Sequence, residues 1–310
     1  MENDFCKDKR VTCIKFHPSK PYLVAMSMID NMEFADRALI SGKSFESYVL
    51  ILNFSDAFII TLNYVLETPI EITTIEWHPE NPNVLFGGCL NGQIVVWDLS
   101  ASDKRITAGK VMKQIGDDDD AVGGGDGENE KSQSMIKMKT LTQSYIVTSH
   151  KNFVSDIQFI PPTVKVDKRN PNGGKYAHCI SVSEDGIINI WDCRQVDKEA
   201  LKAAPETLWK PFLKVDLFKM DGSGELGLVR ILLQENQTTP TFWAVSDEGF
   251  LCFIDWSVKP LSTGDDGGAK FAECVRRSYE SYGCMREDRP ALALERSPFY
   301  PDLLLTVHNF

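Results

Sequence analysis

Ile72 to Leu99 reads ITTIEWHPENPNVLFGGCLNGQIVVWDL. Ile72 to Trp77 is a short apolar run closed by the turn residues His78-Pro79. Val84 to Cys89 is a second run, and Asn91-Gly92 supplies the positive-φ residues of a tight hairpin. Gln93 to Trp97 is the third strand, ended by Asp98. Three antiparallel strands of this length leave an apolar face uncovered, so the unit needs neighbours of its own kind.

Those neighbours are in the chain. Val11 to Asn53 opens with VTCIKFHPSKPYLVAM, and its Phe16-His17-Pro18 matches Trp77-His78-Pro79. Val154 to Arg194 begins VSDIQFIPP and ends CISVSEDGIINIWDCR. Leu228 to Trp256 follows the same order of apolar runs and turns, with Asp255-Trp256 where a Trp-Asp pair is expected, and Ala291 to Phe310 repeats its first half. Two Trp-Asp pairs stand in frame at 97–98 and 191–192, with turn residues at matching offsets. Five copies of one strand–turn–strand–turn–strand plan are the WD-repeat signature of a β-propeller. The expected fold is therefore all-β, an incomplete propeller of four blades plus half of a fifth.

The expected blades are 11–67, 68–99, 140–194, 208–256 and 271–310, after a polar lead-in at 1–10. Blade one is degenerate: Asp30 to Ser47 is longer than a hairpin loop, and Leu52-Asn53 stands where Trp-Asp belongs. Phe58 to Leu66 is its expected outer strand, and Thr140 to Thr148 that of blade two. Between them lies 100–139, an insertion whose core GDDDDAVGGGDGENE (116–130) carries seven acids and no base. Dense like charge and few apolar residues leave such a segment unable to offset its ordering entropy, so disorder is expected. The repeat stops inside blade five, and an open arc leaves unpaired strand edges. The expectation is a fragment of a larger ring that folds poorly alone.

Net charge is −11, and without the acidic core it falls to −4 (−11 + 7). That balance offers no basic footprint to nucleic acid. No run of 18 apolar residues marks a membrane span, and the charged start MENDFCKDKR is not a signal peptide. Eight Cys occur without a CxxC pair, mostly within strand-like runs, as thiols of a reducing cytoplasm do.

The polar residues that stand out are structural in pattern. In WD-repeats a buried network links a His before the first strand, a hydroxyl in the second, the Trp of the third and an Asp in the turn. In blade three the matching residues are His150, Ser181, Trp191 and Asp185. Blade two offers Asn91, Trp97 and Asp98 without the His, so its network is partial. Trp209, beside the strand break at Pro211, is the candidate interface residue. Ser41-Gly42-Lys43-Ser44 contains Gly-Lys-Ser, but Arg37 stands where a phosphate-binding loop needs glycine. Cys274, Cys284 and His308 fit none of the compact zinc spacings. No nucleophile elbow or HExxH helix is present, so no catalytic, cofactor or metal residues are assigned.

The stretch YVLILNFSDAF…LNYVLETPIEITTIEWHPENPNVLFGGCLNGQIVVWDLS resembles the dynein intermediate chains. The residues that carry the resemblance are Pro79, Asn81, Pro82, Gly87, Gly88, Asn91, Gly92, Gln93, Trp97 and Asp98. SHKNFVSDIQFIPP and RPALALERSPFYPDLLLT resemble later blades of the same family. Phe54-Ser55-Asp56 after blade one is most similar to the axonemal intermediate chain of the two-headed inner-arm dynein. The resemblance implies a seven-bladed parent ring and a non-catalytic scaffold subunit of the cytoskeleton of a cilium or flagellum. It implies dynein heavy chain and a second intermediate chain as partners. Light chains would bind an N-terminal extension that these residues lack. The rival reading is a generic WD-repeat adaptor of ubiquitin ligation or ciliary transport; a third, an enzyme using the central channel, finds no convergent acids or His.

Overall fold

The computed structural model describes residues 5–39, 47–56, 58–100, 136–166, 175–203, 208–257, 275–279 and 290–309. The acidic core at 116–130, Gly-Lys-Ser at 42–44, Cys274 and Cys284 lie outside the described residues. Five sheets follow one another along the chain. The first contains β1 (Lys9–Phe16), β2 (Leu23–Asp30), β3 (Ser47–Asn53) and β4 (Thr61–Thr68). The second contains β5 (Ile72–Trp77), β6 (Val84–Cys89) and β7 (Ile94–Asp98), closed by the two-residue β9 (Thr142–Gln143). A short β8 (Ile136–Met138) lies parallel to β4 as a fifth strand of the first sheet.

The third sheet is β10 (Val154–Phe159), β11 (His178–Ser183), β12 (Ile187–Asp192) and β13 (Leu213–Asp216). The fourth is β14 (Leu228–Leu232), β15 (Thr241–Ser246), β16 (Leu251–Asp255) and β17 (Val275–Tyr279). The fifth sheet holds β18 (Ala291–Arg296) and β19 (Leu304–His308). Strands β1, β5, β10, β14 and β18 are the inner strands, each lying against the next sheet's inner strand. This is an incomplete WD-repeat β-propeller with four full blades and half of a fifth.

Both faces of a middle blade are covered, which is why its strands read as near-continuous apolar runs. Ala25, Val49, Ile51 and Leu66 of blade one meet Ile75, Leu85, Val95 and Trp97 of blade two. Phe86, Ile94 and Val96 then meet Ile157, Cys179 and Trp191 of blade three. Ile180, Val182, Ile188 and Ile190 meet Phe242, Ala244, Cys252 and Ile254 of blade four. Each fully buried side chain of this kind contributes about 1.5–3 kcal/mol. The fourth joint is smaller, with Val245, Ala291 and Leu294 at its centre.

The repeated His-Pro turns have a shared cause. The His17 Nδ1 accepts from the amides of Ser19 and Lys20, at 3.1 and 3.0 Å. The His78 Nδ1 does the same for Glu80 and Asn81, at 3.2 and 3.1 Å. Each ring thereby satisfies two amides that the turn leaves out of the ladder.

Several expectations are corrected. The outer strand of blade one starts at Thr61, not Phe58; Phe58 is 96% exposed, with Ile59 and Ile60 also open to solvent. Asp30 to Ser47 is not a plain loop but holds the helix α1 (Phe34–Leu39), tied to blade two by Arg37 on Glu71 at 2.5 Å. The end of the acidic insertion is ordered as β8, where Lys137 pairs with Glu67. Thr140 to Thr148 is not one long strand. It leaves the sheet after Gln143 and forms a 3-10 turn over Ile146–Thr148, because Ser144 caps the start of β7 and turns the chain inward. In blade four the register pairs Phe242 with Ile254 and Thr241 with Asp255. Ile254-Asp255 therefore holds the Trp-Asp position, and Trp256 lies one residue beyond it.

Candidate functional site

A buried polar arrangement lies in blade three, where blade two borders it. Chain geometry delivers His150 to it. Ser144 donates its amide to Ile94 O, the 3-10 turn follows, and the His150 amide then donates to Gly92 O at 3.2 Å. Gly92 sits at φ +86°, and a Cβ there would fall 2.2 Å from the His150 carbonyl oxygen. The hairpin glycine of blade two is thus what admits the histidine of blade three.

His150, 3% exposed, holds two partners. Its Nδ1 lies 3.2 Å from both carboxylate oxygens of Asp185, and its Nε2 lies 2.8 Å from Ser181 Oγ. The Trp191 indole N–H donates to the same hydroxyl at 2.8 Å. Asp185 also accepts from the amides of Lys151 and Ile187, at 2.8 and 3.1 Å. Burial pushes the Asp185 carboxyl up, but His150 and those two amides outweigh it and hold it below the usual carboxylate range. The four residues expected in blade three are all brought together.

The blade-two residues do not converge with them. Asn91 Oδ1 accepts the Gln93 amide at 3.1 Å, copying the Asp185–Ile187 turn bond, and its amide nitrogen donates to Gln93 Oε1. Trp97 is fully buried, but its indole donates to Glu67 O at 3.3 Å instead of to a hydroxyl. Asp98 caps the strand end by accepting the Ser100 amide. Trp209 is not an exposed anchor. It is 3% exposed, donates to Asp192 O at 3.2 Å and lies 4.9 Å from the Trp191 ring. The break at Pro211 turns the ring inward because Trp209 bridges to Ser144 of the neighbouring blade before β13 begins.

Four residues of the site carry no role in the sequence reading: Gln93, Ser144, Ser149 and Asn189. Gln93 reaches Ser144 O at 2.5 Å, and the Ser144 and Ser149 hydroxyls meet at 2.8 Å, so the approach to His150 is itself a polar strap. Their only signal was three polar side chains amid apolar strands. Asn189 pairs with Ser181 across the ladder, is fully buried, and its carboxamide makes no hydrogen bond.

Farther along the inner strands a second charged set joins blades. Lys15 of blade one is paired with Glu76 of blade two. Burial pulls the Lys15 ammonium down, but Glu76 and Asp156 more than offset it and its pKa rises. Buried Asp156 accepts from the amides of Ile157 and Ile231; burial drives its carboxyl up despite Arg230 and Lys15.

Neither set resembles a reaction centre. Among the described residues no three His, Cys, Asp or Glu side chains group as metal ligands, and no helix is long and apolar enough to cross a membrane. What the two sets do chemically is satisfy buried polar groups, the first within blade three and the second at the joints between blades.

A family profile described as "Dynein axonemal intermediate chain 3 WD40 domain" matches residues 2–250. Dynein axonemal intermediate chain 3 of Danio rerio is 25% identical over 378 aligned residues, covering 100% of this chain and 37% of its own length. The Homo sapiens protein of the same name is 24% identical, covering 97% of this chain and 40% of its own length. Dynein axonemal intermediate chain 2 of Homo sapiens is 22% identical over 305 residues, with 97% and 37% covered. The chain spans about two fifths of the length of these curated relatives.

Proposed function

Since the chain belongs to the family of the dynein axonemal intermediate chain 3 WD40 domain, we propose that it is a non-catalytic scaffold of an inner-arm axonemal dynein, holding the heavy chain through its propeller. It would work in the cytoskeleton of a cilium or flagellum, where its named relatives are axonemal dynein subunits. A second intermediate chain is the further expected partner, with light chains recruited outside these residues.

The observation that carries this reading is the family match over residues 2–250, spanning blades one to three and the first two strands of blade four. The buried network supports it indirectly: its hydrogen-bonding capacity is spent inside blade three, which suits a rigid platform. Affinity capture of the tagged chain from ciliary extract should recover dynein heavy chain. Recovery of ubiquitin-ligase or ciliary-transport components without heavy chain would overturn the proposal.

A further inference from the structure

Every inner strand carries an irregularity in its pairing near its start, three residues in for β1 and one residue in for the others: between Val11 and Cys13, Ile72 and Thr74, Val154 and Asp156, Leu228 and Arg230, and Ala291 and Ala293. The residues at these bulges are Thr12, Thr73, Ser155, Val229 and Leu292. A bulge frees its residue from the ladder and re-aims its side chain. The first three use that freedom identically. Thr12 donates to Ile72 O at 3.0 Å, Thr73 to Val154 O at 2.5 Å and Ser155 to Leu228 O at 2.5 Å. In each case the acceptor is the residue just before the next blade's bulge. Three successive joints are thus closed by the same hydroxyl latch.

The fourth joint breaks the series, because valine has no donor. The neighbouring polar straps end there too. Lys15 on Glu76 joins blades one and two. Gln158 brackets Ile231 and Leu233 of blade four, at 2.5 and 3.0 Å. The position equivalent to Lys15, Glu76 and Gln158 in blade four is Leu232, packed against Val245, Ala291 and Leu294. Among the described residues a polar contact remains beyond the end of β14, where the Gln234 carboxamide, turned with its oxygen outward, accepts two N–H groups of Arg296 at 2.6 and 3.1 Å.

We propose that the joint between blades four and five is a built-in opening seam, at which β18 and β19 separate from blade four while the three latched joints stay closed. Apolar contact with directional bonds at one end only holds such a seam closed but does not fix it along its length, and one net hydrogen bond shifts an opening equilibrium about fivefold.

Amide hydrogen exchange on the full chain tests this. The β18 and β19 amides should exchange faster than those of β10 and β14, and Val229→Thr should slow them about fivefold by installing the missing latch. Ser155→Ala should speed exchange in β14 by a similar factor, independently of whether the Val229 variant folds. Equal protection of β18 and β14 in the parent chain would overturn the seam. So would a Val229→Thr chain with unchanged exchange, or a Ser155→Ala chain in which β14 is unaffected.

Discussion

Blades two and three share the Trp-Asp pair and the tight Asx-Gly turn, yet they bury the indole by different means. In blade three Trp191 stands across from Cys179, and two residues on Ser181 offers a hydroxyl that serves both the indole and His150. In blade two Trp97 stands across from Leu85, and two residues on is Gly87. A Cβ at Gly87 would lie 2.7 Å from the Trp97 ring, so the ring itself occupies the space that a serine would need. Its N–H is left to a backbone carbonyl of blade one. One blade solves the problem with a polar network and the other with close packing. The difference teaches that the tryptophan position is common to the repeat while the way its N–H is satisfied is local.

That comparison can be broken or sharpened by substitution, taken from the largest expected effect. Gly92→Ala should cost about 4 kcal/mol or more, because its φ of +86° and the His150 carbonyl both reject a side chain. The same change at Gly186, φ +69°, crowds the Glu225 Cβ at 2.9 Å while the nearest backbone atoms stay at 3.5 Å, and should cost clearly less in urea unfolding. Ser181→Ala should cost about 3 kcal/mol, since it strands a buried indole and a buried imidazole together. Gly87→Ser, which writes the blade-three residue into blade two, should destabilise by about 2 kcal/mol through overpacking on Trp97. A stabilised Gly87→Ser chain would show that the two blades are interchangeable after all.

A smaller effect separates by pH. Because the folded Asp185 carboxyl is held below its ordinary value, its stabilisation is complete above about pH 4 and drains away as pH falls through the depressed folded value. Asp185→Asn should therefore cost about 1.5 kcal/mol at pH 7, and the gap to the parent chain should narrow as unfolding is measured below pH 4. Asp156, whose carboxyl is raised, should behave oppositely: Asp156→Asn gains relative to the parent as pH rises through the raised folded value. The smallest change is Asn189→Val. Blade two carries Val95 at this register, and removing an unbonded buried carboxamide should stabilise by about 1 kcal/mol in thermal unfolding.

The blade strands were legible because period, turn residues and the Trp-Asp spelling all act within about thirty residues. Asn91-Gly92 and Asp185-Gly186 announce hairpins by local backbone need, and both glycines do take positive φ. The network in blade three was legible too, since each member occupies a fixed offset in the repeat. Trp209 was misjudged because a residue beside a strand break reads as exposed, and only its bridge to Ser144 shows that it turns inward. The Asp255-Trp256 alignment slipped by one for a similar reason: an aromatic at the strand end is indistinguishable by eye from one inside it, and only the pairing of Phe242 with Ile254 fixes the register.

By itself, then, the sequence determined the blade plan, the family and the composition of the polar network in blade three. Those depend on local propensity and on residue types at fixed spacings. Only the tertiary structure decided how the blades are joined. The latches from Thr12, Thr73 and Ser155 span roughly sixty to eighty residues, from one inner strand to the next. A threonine or serine near the start of a strand carries no local mark of its distant acceptor. The glycine that opens the hairpin at Ile72 to Leu99 likewise looks like a turn residue in the sequence. In the folded chain Gly92 is also the floor on which His150 rests, a role set by the next blade and by nothing within its own.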